Sequence, residues 1–221
     1  MAIAVPVGIK EKLVGTGFIA GARGESLAVV TALHLLGNGQ EFLIGLPPHG
    51  GDLAKPQNYP IQSIAAREAE LALVEPLLDI AIMLVKGGIQ APIPKFISSS
   101  NEIQIGEEML VVGYPFVVIG SFLETVEPCF ISALGNRVLA SGITRPEFII
   151  SHQTHPGSSG SPVIRRADGV VCGIVRGCLA PPGKISIGNL PLGTDTNITY
   201  TTSAHFIPSL IDRAFEIGGH A

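Results

Sequence analysis

His155-Pro-Gly-Ser-Ser-Gly-Ser-Pro162 sets a serine, Ser159, in a tight glycine-rich bend between two β-type runs, Phe148-Ile-Ile-Ser and Pro162-Val-Ile-Arg. Glycines on both sides let the backbone turn sharply and turn amide N–H groups toward whatever sits beside the serine oxygen. Acyl transfer needs that combination: an exposed hydroxyl nucleophile with donors aimed at the oxyanion it creates. Gly/Ser/Pro clusters are also the ordinary material of turns. The bend acquires meaning only if other parts of the chain supply what a serine lacks.

A serine hydroxyl is a poor nucleophile at neutral pH. It needs a general base, and that base needs an anion to fix its tautomer and stabilise the imidazolium. Two segments answer. Ala28-Val-Val-Thr-Ala-Leu-His34 is an apolar β-rich run with a histidine near its end, and Asp79-Ile-Ala-Ile-Met-Leu-Val85 opens another such run with an aspartate. The chain order is His, Asp, Ser, with gaps long enough for strands from distant parts of a fold to converge.

Four blocks, Gly15-Thr-Gly-Phe-Ile, Val29-Val-Thr-Ala-Leu-His34, Asp79-Ile-Ala-Ile and Gly157-Ser-Ser-Gly-Ser-Pro162, resemble those of chymotrypsin-fold serine proteases. In the second half, Val112-Gly-Tyr-Pro-Phe, Phe130-Ile-Ser-Ala-Leu-Gly, Gly173-Ile-Val and His205-Phe-Ile-Pro-Ser-Leu-Ile resemble the HtrA/Deg-type protease domain. The similarity runs from about residue 12 to residue 215. It implies an all-β fold of two six-stranded antiparallel barrels with a C-terminal α-helix. Residues 1–95 would form the first barrel, with His34 and Asp79, and residues 96–221 the second, with Ser159. Together they would make one protease domain with its site at their interface, where clefts form.

Composition agrees. The 221 residues include 27 glycines and 17 prolines, which suits many short strands joined by turns. Charged residues are 14%, against roughly 25% in an ordinary globular domain. The core is therefore ample, and part of the surface is apolar enough for homo-oligomer contacts. A net charge of −4 without a long Lys/Arg run gives no footprint for nucleic acid. Phe148–Ile164, the longest stretch free of Asp, Glu, Lys and Arg, is full of Ser, His, Gly and Pro, so no membrane span is expected. Met1-Ala-Ile-Ala-Val-Pro-Val lacks the charged start and long apolar stretch of a signal peptide. If Met1 is the native start, the expected location is cytoplasmic.

The period-2 apolar pattern predicts strands near 3–8, 12–20, 26–32, 41–46, 60–65 and 79–85, then near 108–113, 122–134, 137–141, 146–152, 161–165, 170–176 and 196–202. Residues 47–59 read as a loop and 87–106 as a linker. Pro181-Pro182-Gly183 and Gly188–Gly193 read as loops beside the cleft. From Ser203 to Ile217 the pattern turns helical. Cys129, Cys172 and Cys178 are expected as free thiols, with Cys172 and Cys178 able to lie on neighbouring strands. No metal-site spacing occurs among Cys, His and acidic residues, so no metal or cofactor is expected. His49, His152, His205 and His220 read as surface, strand or tail residues.

The resemblance assigns Ser159 as nucleophile, His34 as general base, Asp79 as orienting carboxylate, and the Gly157 and Ser159 amides as oxyanion hole, with a protein or peptide as substrate. The primary pocket would be walled by residues about 152–157, 174–178 and 196–200, with His155, Val175, Arg176 and Gly177 as candidates. Those segments hold no acidic residue, and Asp195 falls just outside, so small or medium apolar side chains are expected there rather than Arg or Lys. The pair Arg176 and His155 leaves an acidic preference open.

Three departures matter. Ser158 stands where trypsin-type enzymes carry the aspartate that receives a new N-terminus, so activation by that route is not expected. Ser161 replaces the commonest glycine. No PDZ domain follows before Ala221. Two other classes frame the reading: a protease-fold binding module with a silent site, and an α/β-hydrolase esterase. The latter requires Gly-x-Ser-x-Gly with the histidine last, whereas Ser161 fills the fifth position and His34 comes first.

Overall fold

Ser26-Leu-Ala-Val-Val-Thr-Ala32 and Ile80-Ala-Ile-Met-Leu-Val-Lys86 are apolar on both faces, without the polar alternation of a half-solvated strand. In the computed structural model of the protein these runs are strands β3 and β6, paired antiparallel along their whole length. Each has two apolar neighbours. Val29 and Met83 face the interior of the first barrel with Val5, Ile19 and Phe42. Val30 and Ile82 face outward into a second cluster, which continues into the other barrel and the C-terminal helix. A strand buried on both sides has no need of alternation. The structure describes residues 2–10, 12–39, 41–46, 65–87, 91–139, 141–178, 186–187, 190–191 and 198–218.

The first barrel closes in the order β1-β2-β3-β6-β5-β4, with β1 at Ala4–Ile9, β2 at Lys12–Arg23, β4 at Phe42–Gly45 and β5 at Ala66–Glu75. The second closes in the order β10-β11-β14-β9-β8-β7. Its strands are β7 (Glu108–Gly113), β8 (Thr125–Val138), β9 (Thr144–Ile150), β10 (Pro162–Arg165), β11 (Val171–Cys178) and β14 (Thr199–Ser203). All ladders of both barrels are antiparallel, and closure leaves no edge strand in either. The fold is the expected one: two six-stranded antiparallel barrels with a C-terminal helix. That helix, α1 (Ile207–Gly218), buries Leu210, Ile211, Ala214 and Phe215. It packs on the first barrel: a Cβ on Gly21 of β2 would meet Ile211, and Arg23 lies over the Phe215 ring at 5.0 Å. Fully burying each such side chain contributes about 1.5–3 kcal/mol, so the tail of the second half is anchored on the first.

Three strand assignments differ from expectation. The strand expected at 60–65 is observed as β5 at Ala66–Glu75, and residues 60–64 lie outside the described ones. Arg67-Glu-Ala-Glu reads as helix by propensity, but pairing with β4 and β6 overrides it. The break expected between 134 and 137 is absent: Gly135 and Asn136 run through β8 opposite Glu147 and Pro146, and the irregularity sits instead between Ile131 and Ala133. A two-residue hairpin, β12 (Ser186–Ile187) with β13 (Leu190–Pro191), occurs where only loop was expected. Along β8, Val126, Phe130, Leu134 and Val138 are exposed to solvent, consistent with the low charge content. Cys172 and Cys178 share one strand, β11, rather than lying on neighbours, and all three cysteines are free thiols. Burial pushes the Cys129 and Cys172 thiols up to about 12, which makes them unreactive. The 47–59 loop, the Pro181-Pro182-Gly183 cluster, Asp195, His49 and His220 lie outside the described residues.

Candidate active site

Strand β3 ends at Ala32 and runs into a single tight helical turn, Leu33–Leu35, which carries His34. Asp79 stands one residue before β6 with φ +57°, a left-handed conformation that aspartate tolerates better than bulkier residues. Three hydrogen bonds join the two points. The Leu33 amide donates to the Asp79 carbonyl at 3.0 Å, and the His34 amide donates to Asp79 Oδ1 at 2.9 Å. The third spans 2.8 Å between His34 Nδ1 and Asp79 Oδ2. An ionised carboxylate can only accept, so the ring proton sits on Nδ1 and Nε2 keeps its lone pair. Burial pushes the Asp79 carboxyl up. The His34 hydrogen bonds and charge, together with Arg176, outweigh that and hold it below the ordinary range.

Ser159 comes from the other barrel, in the bend between β9 and β10. The bend is closed by its own backbone: the Ser158 amide donates to the His155 carbonyl at 2.9 Å, and the Ser161 amide to the Ser158 carbonyl at 3.1 Å. It is then tied to the first barrel by Thr16 of β2, which is fully buried. Thr16 Oγ1 donates to the Gly157 carbonyl at 2.7 Å and accepts from the Tyr114 amide at 3.0 Å, while the Thr16 amide donates to the Ser159 carbonyl at 3.0 Å. Backbones this close leave no room for side chains. At Gly160 (φ +85°) a Cβ would lie 1.9 Å from the Thr16 carbonyl, and at Gly157 (φ +110°) one would lie 2.5 Å from the Tyr114 carbonyl.

The Pro156 carbonyl accepts from the Phe116 amide at 2.7 Å. In a trans peptide the N–H points opposite to the C=O, so this bond directs the Gly157 amide the other way. Among the described residues neither the Gly157 nor the Ser159 amide has an acceptor. Ser159 Oγ itself donates to the Arg176 carbonyl at 3.0 Å and makes no hydrogen bond to His34. Beside the bend, the Tyr114 hydroxyl meets Glu124 at 3.1 Å. Burial pushes Glu124 up to about 7, and burial with the adjacent carboxylate raises Tyr114.

Of the four candidate pocket residues, two have side chains in contact with residues around the site: His155 with Phe116 and Arg176 with Asp79. The His155 ring lies against Phe116, tilted by 33° with centroids 4.7 Å apart. Arg176 occupies an irregularity of β11 where Val175 pairs with Thr201 and Gly177 with Tyr200, leaving Arg176 as the extra residue. Such a bulge re-aims its side chain, and the guanidinium lies on Asp79 Oδ2 at 3.2 Å and Glu147 Oε1 at 2.8 Å. Gly177 is partly exposed beside it. Val175 is fully buried in the core, its amide and carbonyl engaged by Ser161 and Gly160, so its side chain walls no pocket. His152 is buried rather than superficial, with Nε2 at 3.2 Å from Glu127 Oε2 but off the line of a hydrogen bond. Among the described residues, no three His, Cys, Asp or Glu side chains converge to hold a metal ion, and no helix is long and apolar enough to cross a membrane.

Sequence reasoning missed Thr16, Glu147 and Arg145. Thr16 sits between two glycines in a block already singled out, and that flanking was the available signal. Glu147 and Arg145 alternate on β9 like any exposed charged pair; nothing local marks them as buried.

Known proteins point the same way. A sequence profile of the trypsin-like peptidase domain matches residues 15–174, which include His34, Asp79 and Ser159. The chain superposes on the crystal structure of Rv3671c from M. tuberculosis H37Rv, an inactive form with a serine-to-alanine substitution. The TM-score is 0.66 and the identity 20%, covering 98% of this chain and 87% of that one. The active form of the same protease gives 0.67 at 19% identity, covering 96% and 80%. The HtrA-type protease AlgW with a tripeptide gives 0.68 at 18% identity, covering 98% of this chain but 61% of that one. Among curated protein sequences no significant match is found. The profile covers well over half of the chain, which therefore belongs to the trypsin-like peptidase family and is a serine protease.

Proposed function

We propose that the protein is a serine endopeptidase that cleaves peptide bonds through Ser159, His34 and Asp79 by way of an acyl-enzyme. The observation that carries this reading is the paired bond from Asp79 to the His34 ring and amide, which leaves Nε2 as the free base. Ser159 rotates from the Arg176 carbonyl to His34, a change of one side-chain rotamer. Its oxygen attacks the scissile carbonyl as Nε2 takes the hydroxyl proton. The negative oxygen of the tetrahedral intermediate is met by the Gly157 and Ser159 amides. Collapse expels the amine, which receives the proton from Nε2. Water then repeats the sequence on the ester, releasing the acid and regenerating the serine.

A peptide substrate is supported by AlgW, whose structures carry a tripeptide and a decapeptide. No acidic residue occurs in 152–157, 174–178 or 198–200, and Arg176 is engaged by two carboxylates. Both facts favour small or medium apolar side chains at the cleavage site over basic or acidic ones.

The experiment is fluorophosphonate labelling of wild type and Ser159→Ala. Wild type is expected to label and the variant not to; labelling that survives the substitution sinks the reading. One observation favours the second reading, a protease-fold binding module: the Ser159 hydroxyl rests on a carbonyl rather than on the base. A wild type inert to the probe at every pH would support it.

A further inference from the structure

Arg176 touches both halves of the site. Its carbonyl accepts the Ser159 hydroxyl, and its side chain, four-fifths buried, shares Asp79 Oδ2 with His34. Behind it Glu147, almost wholly buried, accepts from Arg176 and Arg145 and lies 3.8 Å from Arg137. Arg145 also donates to the Leu77 carbonyl, and Thr202 Oγ1 to the Leu78 carbonyl at 3.0 Å. The turn that presents Asp79 is thus gripped from β9, β11 and β14 of the opposite barrel. Among the described residues, the charged groups around the His34–Asp79 pair are Arg176 from β11, Glu147 and Arg145 from β9, and Arg137 from the end of β8.

We infer that Arg176 is a positioning residue for Asp79, and that its charge, tempered by Glu147, sets the pH below which the site shuts off. This rests on the reading of His34 as base to Ser159. A carboxylate bonded to a histidine favours the imidazolium. A guanidinium on the same oxygen opposes adding that proton, because it takes a share of the anion and sets a like charge across the shared Oδ2. Removing Arg176 therefore makes His34 easier to protonate and moves the acid limb of reactivity to higher pH. Removing the charge of Glu147 leaves Arg176 and Arg145 uncompensated and moves the limb the other way. A partly exposed site with an intermediate dielectric makes each movement about half to one pH unit.

The test follows the rate of fluorophosphonate labelling against pH for wild type, Arg176→Gln, Arg176→Lys and Glu147→Gln, beside NMR titration of the His34 ring. Arg176→Gln is expected to raise both midpoints, so that labelling on the acid limb slows about three- to tenfold. Arg176→Lys keeps the charge and is expected to keep the midpoint, and Glu147→Gln to lower it. A midpoint unmoved in Arg176→Gln, or moved equally by Gln and Lys, overturns the inference, since a role in packing alone lowers rates without that pattern. If Glu147→Gln does not fold, the two Arg176 variants decide. Absence of labelling in wild type counts against the nucleophile, whereas the NMR midpoints report on Arg176 without any reaction.

Discussion

The His34–Asp79 side of the site and the Ser159 side are held in different ways. On the first barrel, His34 and Asp79 are joined directly, by side-chain and backbone bonds between the ends of two paired strands. On the second, Ser159 rides a bend with two left-handed glycines, and its contacts to the first barrel pass through the backbone and one threonine. The first half is joined by bonds within one barrel, with the Asp79 turn also held by Arg145, Arg176 and Thr202 of the other. The second is set by how closely two barrels approach, and its hydroxyl rests on the Arg176 carbonyl. In one half the His34 ring is bonded to its carboxylate through Nδ1; in the other the hydroxyl is engaged by a backbone carbonyl.

Substitutions can break either side. Ser159→Ala removes the proposed nucleophile and is expected to lower kcat/KM toward a peptide ester by about a millionfold, with the fold intact by circular dichroism. Asp79→Asn keeps the shape but reverses the hydrogen-bond preference toward the His34 ring. The expected loss in kcat is about ten-thousandfold, measured with the same ester.

Thr16→Val tests whether the Ser159 side depends on the first barrel. It strips the Tyr114 amide and the Gly157 carbonyl of a buried partner, each worth about 1–3 kcal/mol. The midpoint of urea unfolding should fall accordingly, and kcat about ten- to a hundredfold, with little change in the NMR signature of the His34–Asp79 bond. An unchanged kcat would show that the bend holds itself.

Glu124→Gln should have the smallest effect. Burial raises Glu124 to about 7 from an ordinary 4.5. The unfolded chain therefore releases this proton first, and stability falls as pH rises from about 4.5 to 7, staying lower above that. The neutral variant escapes the penalty. Its thermal midpoint should exceed that of wild type by a few degrees at pH 8 and match it at pH 4.5. Equal midpoints at both values would remove Glu124 from the account.

Which parts of this were legible in the chain follows from how local their causes are. The glycine-flanked Ser159, the His34 at a strand end and the Asp79 at a strand start are short-range patterns, and their order matched a known set of blocks. β5 was placed too early, at 60–65, because Arg67-Glu-Ala-Glu carries helical propensity that only pairing with β4 and β6 overrides. Val175 was named for the pocket on the resemblance alone; its burial, shared by all of Val171–Val175, comes from packing that no local pattern marks.

The sequence by itself determined the fold class, the family and the three residues proposed for the chemistry, because each rests on a residue type in a local setting. The tertiary structure alone decided what surrounds them. Thr16 as the tie between barrels, Arg176 on Asp79 and Glu147 behind it are contacts between residues tens of positions apart. Charges at that separation in the chain leave no periodic trace, and only the docking of one barrel against the other brings them into a buried network.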